Sequence, residues 1–369
     1  MWCDRRILLG CLPLLALAAA LLTGCGSGSG ASPEARPAVA PATMAANVPS
    51  SEPEFSENAR IFTVPASGGR PLALTGEERD GHAHDHEADE QTSATGERGE
   101  DAEMPSDEGS DDPEGAAHAH EEERQVDNPI WSPAGDQIAF TQTPCEYCPP
   151  ELFVMGADGA DPRRLNRVRN AFQPTWSPDG RRLAVLLPGP RGGVYTFDRN
   201  GRQKRRVLTD SAAIEAPSWS PTGDRIAYAR QVAATNWDIY VVSQLSGRRE
   251  RLTRSPAQET TPEFSPDGTR IALARQLAHG NWAIHTMRAD GAHLRRVTDG
   301  RVSAVEPSWS PDGRRIAFTA QDARSRSVIA VVDVRSGRRR SITGPALYAT
   351  QPAWSPDGKT IAFAARERE

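Results

Sequence analysis

Apolar residues from about position 130 onward fall into short blocks that recur at a nearly constant interval. One block in each copy has three apolar residues, and these blocks lie at 138–140, 183–185, 226–228, 271–273, 316–318 and 361–363. A second, mostly apolar block follows in five copies, at 152–155, 194–197, 239–242, 283–287 and 328–332. The blocks are too short for buried helices and are bounded by turn residues, so they predict β-strands that are covered on both faces.

A turn signal precedes every three-residue block. The string Trp-Ser-Pro-x-Gly begins at Trp131, Trp176, Trp219, Trp309 and Trp354, and once as Phe-Ser-Pro-Asp-Gly at Phe264, with steps of 45, 43, 45, 45 and 45 residues. Proline presets φ and glycine accepts a left-handed conformation, which predicts a tight turn between strand A, ending at the aromatic residue, and strand B. The second block is strand C, and a basic stretch ending in Leu-Thr or a similar pair is strand D. Four short strands per repeat of this length predict the blades of a β-propeller.

The last copy, which starts near Gln351, supplies only strands A and B. Residues 59–75 match the missing half, because they contain an apolar segment, a glycine turn and a final Leu-Thr. We therefore predict an all-β fold, a six-bladed β-propeller in which 59–75 give strands C and D of the closing blade and 128–369 give the remaining strands. A blade built from both ends of the chain leaves no open edge in the ring.

The succession PxWSPDG, IAF, IYV and RLT resembles the propeller repeats of the TolB family, over 59–75 and 128–366. The resemblance implies a propeller of a kind found in periplasmic scaffolds and in the non-catalytic propellers of prolyl-oligopeptidase-like enzymes. No G-x-S-x-G string occurs, and ten residues follow Lys359, so we expect no α/β-hydrolase domain and no catalytic residue.

The first 24 residues have the pattern of a signal peptide. Arg5 and Arg6 precede an apolar run, 7–22, which is shorter than a comfortable membrane span. The run ends in Leu-Thr-Gly-Cys25, which resembles the lipobox of bacterial lipoproteins. That resemblance implies that Cys25 is acylated with a fatty acid such as palmitate. The protein would then be anchored on the extracytoplasmic side of a membrane in the bacterial cell envelope. An ordinary signal peptide with an incidental cysteine is the alternative. Residues 25–58, rich in Gly, Ser, Pro and Ala, predict a flexible linker.

The net charge of −6 hides two opposed parts. Residues 76–125 hold 19 Asp and Glu and 3 Arg, which leaves +10 on the rest of the chain. We interpret 76–127 as an acidic, His-rich, disordered insert. Its histidines are candidate ligands for Zn or another divalent transition metal, the alternative being a solvated loop without a specific ligand. They are His82, His84, His86, His118 and His120.

The insert connects strand D of the closing blade to strand A of the next. In a propeller the D–A and B–C loops emerge on one face, here called the D–A face, and the A–B and C–D turns on the other, here called the A–B face. Cys145 and Cys148 fall in a B–C loop and hence on the D–A face. For a protein outside the cytoplasm we expect a disulfide between them, while half of a zinc site completed by the insert is the alternative.

Strand A lines the central channel of a propeller, and the residues before its proline are candidates for the channel mouth. These residues are Asn128, Gln173, Glu215, Glu259, Glu306 and Gln351. A solvated polar pore is the simplest interpretation. The alternative is a metal-dependent hydrolase of the lactonase type, whose channel holds calcium with such ligands.

Two further features concern partners. Trp237 and Trp282 stand at equivalent positions after B–C loops, and if exposed they would form an aromatic contact for a protein. Arginine pairs or triplets recur before or within strand D, at 163–164, 205–206, 248–249, 295–296 and 338–340. They predict either protection of the outer edge by charge or an anionic partner.

The sequence thus predicts a lipid-anchored propeller that binds a protein or an envelope polymer at its D–A face, with no required cofactor and no nucleic-acid partner. A metal-sequestering lipoprotein and a channel-metal hydrolase are the alternatives.

Overall fold

The computed structural model describes residues 59–75, 125–145, 147–189, 192–322, 324 and 326–367. Two strands come first, β1 (Arg60–Pro65) and β2 (Leu72–Ala73). Blade 1 contains β3 (Gln125–Trp131), β4 (Gln137–Thr143), β5 (Glu151–Gly156) and β6 (Arg163–Arg169). Blade 2 contains β7 (Phe172–Trp176), β8 (Arg182–Leu187), β9 (Gly193–Asp198) and β10 (Arg205–Thr209).

The remaining blades repeat this order of four antiparallel strands. Blade 3 contains β11 (Ile214–Trp219), β12 (Arg225–Ala233), β13 (Asn236–Ser243) and β14 (Arg249–Arg251). Blade 4 contains β15 (Glu259–Phe264), β16 (Arg270–Gln276), β17 (Trp282–Arg288) and β18 (Arg295–Arg296). Blade 5 contains β19 (Ser303–Trp309), β20 (Arg315–Gln321), β21 (Ser327–Asp333) and β22 (Arg339–Ser341). The last strands are β23 (Leu347–Trp354) and β24 (Thr360–Glu367).

The closing blade has the strand order β2-β1-β24-β23, so its inner half comes from the C-terminal end and its outer half from 59–75. Strand β1 pairs with β24 from Arg60 opposite Ala365 to Pro65 opposite Thr360. The six A strands contact one another in a closed ring. The six-bladed propeller and its mode of closure are therefore confirmed.

The first blade begins earlier than the sequence predicted. Residues 125–127, assigned to the insert, form the start of β3 because Gln125, Val126 and Asp127 pair with residues 141–143 of β4. In the part of the chain that the structure describes, no helix is long and apolar enough to cross a membrane.

The core is divided among the six seams between blades. Each apolar cluster takes residues from two neighbouring sheets, as where Phe318 and Trp309 of blade 5 pack with Ile284 of blade 4. This face-to-face packing of the blades explains why the strands predicted from the sequence are apolar on both faces. Burial of the C and B strands in every blade supplies the dominant stabilising term.

The A–B turns are nearly identical in all six blades. In blade 5 the Ser310 hydroxyl donates to Asp312 Oδ1 at 2.6 Å and accepts the backbone N–H of Arg315 at 2.9 Å. The turn glycine, here Gly313 with φ 64°, faces Pro266 of the preceding blade, and a Cβ added to it would lie 4.0 Å from that ring. Equivalent glycine–proline contacts occur at every seam, so the A–B face is regular.

Candidate functional site

Each A strand is kinked where it lines the channel. The residue directly before the proline of each A strand has a positive φ, between 49° and 57°, and the register with strand B shifts there. Such a conformation is unfavourable for residues other than glycine. These six residues are Asn128, Gln173, Ala216, Thr261, Glu306 and Gln351.

In two blades the kink falls on a residue other than the predicted one. Glu215 lies one residue before the kink of blade 3, and Glu259 lies two residues before that of blade 4, where Ala216 and Thr261 take the position. The proline itself was the available signal, since counting back one residue from it gives the ring. Glu259 is fully buried in the seam between blades, with its Oε1 3.0 Å from Arg275 Nη1.

The side chains of the ring join neighbouring blades. Gln173 Oε1 accepts the backbone N–H of Ala216 at 2.7 Å. Glu306 Oε2 accepts that of Gln351 at 2.9 Å, and Gln351 Oε1 accepts that of Asn128 at 2.7 Å. Three of the predicted channel residues are thus engaged in holding the ring together.

Three carboxyl groups lie on the A strands of alternate blades, at Asp127 of blade 1, Glu215 of blade 3 and Glu306 of blade 5. Burial raises the pKa of Asp127 to about 6, against the attraction of Arg366, and the Glu306 carboxylate adds to the rise. Burial also raises the pKa of Glu215, where Glu306 again adds and a hydrogen bond from Thr260 opposes. The pKa of Glu306 itself is raised by burial, against hydrogen bonds from Thr319 and the Gln351 backbone. Burial therefore favours the protonated form of each of these three acids.

The channel acids do not form a recognisable metal centre. Within the described residues, no three His, Cys, Asp or Glu side chains come together in a way that could hold a metal ion. The described part of the channel therefore offers no set of metal ligands that would support the lactonase-type alternative. Cys25 and the five histidines of the insert, His82, His84, His86, His118 and His120, lie outside the described residues.

The B–C loop of blade 1 presents an aromatic side chain to solvent. Cys145 and Cys148 are joined by a disulfide, with their Cα atoms 5.0 Å apart, and the backbone N–H of Cys148 donates to the Cys145 carbonyl at 3.0 Å. Because both sulfur atoms are in this bond, the zinc half-site is not formed. Tyr147, between them, is 89% exposed, whereas most large apolar and aromatic residues among those described are covered.

Tyr147 is the site residue that sequence reasoning missed. A tyrosine enclosed by two cysteines and flanked by Pro144 and Pro149 was the available signal, because a short constrained loop cannot fold its side chain inward.

The two tryptophans proposed as partner contacts are instead part of the fold. Trp237 is 6% exposed and packs in the cluster of blades 3 and 4, and Trp282 is half-buried against the cluster of blades 4 and 5. The preceding asparagines hold these loops, since Asn236 Nδ2 donates to the Ser255 carbonyl at 2.9 Å and Asn281 Nδ2 to that of Gly300 at 3.0 Å. The aromatic rings therefore cover the blade ends.

The arginine runs lie in or just before the outer strands, as expected. Several have partners within the protein. Arg249 Nη1 lies 2.9 Å from Asp210 Oδ2, and Arg164 Nη1 lies 2.6 Å from Glu151 Oε1. Arg340 donates to the carbonyls of Ala66 and Ser67, which ties blade 5 to the closing blade.

Comparison with known proteins identifies the repeat. The family described as TolB beta propeller domain matches residues 191–369. A Tol-Pal system protein TolB from Gluconobacter oxydans is 33% identical over 105 residues, which are 26% of this chain and 22% of that protein. A second TolB, from Anaeromyxobacter dehalogenans, is 31% identical over 93 residues, which are 25% of this chain and 21% of that protein. The matched part thus spans about a fifth of the length of these curated relatives.

A solved structure extends the likeness over most of the chain. A putative TolB from Agrobacterium tumefaciens is similar with a TM-score of 0.61 at 18% identity, covering 84% of this chain and 99% of that one. At this identity the likeness shows the fold alone. The TolB-like β-propeller that the repeats predict is confirmed.

Proposed function

We propose that this TolB-like β-propeller is a non-catalytic module of the bacterial cell envelope that binds a protein partner on its D–A face, with Tyr147 as the central contact. The observation that carries the proposal is the exposed Tyr147 side chain on a loop closed by a disulfide. Tyrosine is enriched among residues that dominate binding energy at interfaces. A loop held rigid before binding loses less conformational entropy in the complex.

Several ends of the described chain segments lie on the D–A face. Ala59, where the linker joins, and Glu367, the last described residue, lie at that end of the closing blade. Thr75 and Gln125, the two ends of the insert, lie at the same face. A lipid-anchored linker of this length would extend roughly 30 Å as a random coil, enough to leave the loop accessible. Its anchor at Cys25 is part of this proposal.

The relatives support a binding role in a general way. The curated ones are named as proteins of the Tol-Pal system, which agrees with a protein that binds other proteins.

Site-specific photo-crosslinking in cells tests the proposal. Benzoylphenylalanine replaces Tyr147 in the full chain, and in a matched control it replaces Leu245, which is 98% exposed on the A–B face. We expect a discrete adduct from position 147 that proteinase K degrades, and no such adduct from position 245. An adduct that resists proteinase K but is cleaved by a glycan hydrolase would show that the partner is an envelope polymer and not a protein. The same adducts from both positions, or none from position 147, would contradict the proposal.

A second proposal concerns the insert. Five of the eight histidines of the chain fall within 76–127 among many carboxylates, which favours weak binding of Zn at several sites. Isothermal titration of zinc chloride into the full chain and into a deletion of 78–124 separates this role from the first. Equal heats for the two proteins would rule out metal sequestration by the insert.

A further inference from the structure

Three seams place an arginine over an aromatic ring of the next blade. The residue that opens strand B reaches across the seam, so that Arg270 Cζ lies 4.7 Å from the Trp309 ring centroid and Arg315 Cζ lies 4.8 Å from that of Trp354. Arg225 takes the same position over Phe264, at 5.6 Å. A guanidinium over an aromatic face gains a cation–π attraction. At these three seams an arginine of the protein itself therefore occupies the space over the aromatic ring.

The closing seam lacks this arginine. The residue that opens strand B of the closing blade is Thr360, and the aromatic residue opposite is Trp131 of blade 1. Threonine is too short to cover the ring. A cavity of about 720 Å³ lies there, with Trp131 and Thr360 among its walls.

The other walls carry groups that recognise a guanidinium. Asp158 and Asp161, in the C–D turn of blade 1, line the cavity together with Thr63 of β1. Carboxylates form strong, charge-assisted hydrogen bonds with guanidinium groups. Leu72, which is 57% exposed, and Leu74 supply an apolar wall for methylene groups.

The equivalent threonine of blade 2 indicates how Thr63 would contribute to guanidinium binding. Thr63 pairs with Ala362 as Thr196 of blade 2 pairs with Ala184. In blade 2 the Thr196 hydroxyl accepts a hydrogen bond at 3.3 Å from Nη1 of Arg182, the residue that opens strand B. At the closing seam the equivalent residue, Thr63, lines the cavity.

We propose that this cavity binds a guanidinium group, presented as an arginine side chain by another protein. The incoming side chain would stack on Trp131, donate to Thr63 and pair with Asp158 or Asp161, in the place that Arg270 and Arg315 occupy at their own seams. The cavity is larger than one side chain and so accepts neighbouring residues of the partner. The site lies at the A–B side of the ring and is independent of the Tyr147 contact.

Binding of small probes to the full chain tests the site. N-acetylarginine amide is titrated at millimolar concentrations while the tryptophan indole N–H resonances are followed, with the Trp131 resonance assigned through Trp131→Phe. We expect a saturable shift of this resonance. We expect at least a tenfold weaker effect from the neutral citrulline analogue, which keeps the shape and loses the charge.

Two substitutions provide matched controls. Thr360→Arg fills the cavity from within and is expected to weaken probe binding at least tenfold, with its fold checked by the other indole resonances. Arg315→Thr is expected to open an equivalent cavity and to make the Trp354 resonance respond to the probe. Asp158→Asn combined with Asp161→Asn, both at the surface, should also weaken binding. No saturable shift in the wild type, equal binding of citrulline or lysine amide, or unchanged binding by Thr360→Arg would each overturn the proposal.

Discussion

The seam between blades 4 and 5 and the closing seam have the same architecture and different contents. At the first, Trp309 is 4% exposed, its backbone N–H donates to Glu263 Oε2 at 2.8 Å, and Arg270 covers its ring. At the closing seam Ala353 and Thr360 take the positions of Glu263 and Arg270, and a cavity results. The difference shows that the backbone of the ring closes without these contacts. In our proposal the closing seam, which omits them, is open to a ligand.

The largest expected effect is on the filled seam. Trp309→Ala should lower the free energy of unfolding by about 3–5 kcal/mol, because it removes a buried ring and leaves a cavity. Trp131→Ala at the closing seam should cost about 1–2 kcal/mol, since less of that ring is buried. Denaturant unfolding of the two variants measures both changes. Equal losses would show that the two seams do not differ in packing.

The next effect depends on pH. Burial raises the pKa of Glu263 from its ordinary value of 4.5 to about 8, against the hydrogen bond from the Trp309 backbone. The folded protein therefore keeps this proton where the unfolded chain loses it. The stabilising contribution is complete below about pH 4.5 and is lost as pH rises through about 8.

Glu263→Gln keeps a hydrogen-bond acceptor and removes the titration. At pH 8.5 we expect the variant to be more stable than the wild type by about 3–5 kcal/mol, with the difference shrinking toward pH 5. Thermal unfolding across this range measures it, with Glu250→Gln on the exposed outer strand as control. A constant difference at all pH values would contradict the shifted pKa.

A smaller effect is expected from making the filled seam resemble the closing one. Arg270→Thr removes the contact with the Trp309 ring and the hydrogen bond to the Gly313 carbonyl, and should cost about 1–2 kcal/mol. Arg301→Thr, at a highly exposed arginine, should change stability by less than about 0.5 kcal/mol. If both variants lose the same stability, the arginine across the seam has no special role.

The smallest effect is a gain. Thr360→Arg should stabilise the protein by about 0.5–1 kcal/mol, because the new guanidinium can stack on Trp131. Urea unfolding of this variant beside the wild type is sufficient to detect it. A destabilised variant would mean that the cavity at the closing seam cannot accept a guanidinium.

Much of the fold follows from the spacing of a few residue types. The turn string and the apolar blocks gave the strands, their number in each blade and the closure by 59–75, because every repeat must cover the same two faces. The position of the kink was predicted in four of the six blades. In blades 3 and 4 the proline places it at Ala216 and Thr261 rather than at Glu215 and Glu259, as the backbone shows.

The candidate site was predicted less well. Trp237 and Trp282 were expected at a surface, but the asparagines before them turn the loops so that both rings pack inward. Exposure of Tyr147 depends on the disulfide and on the path of one loop. The cavity beside Trp131 depends on which residues face each other across a seam, and these are far apart in the sequence.

The sequence by itself determined the all-β repeat, the six blades and the split closing blade, since local turn chemistry and short covered strands leave few other arrangements. The tertiary structure determined which side chains the ring uses in its own contacts and which it leaves exposed. Those outcomes follow from contacts between neighbouring sheets, where Arg270 fills one seam and Thr360 leaves another open.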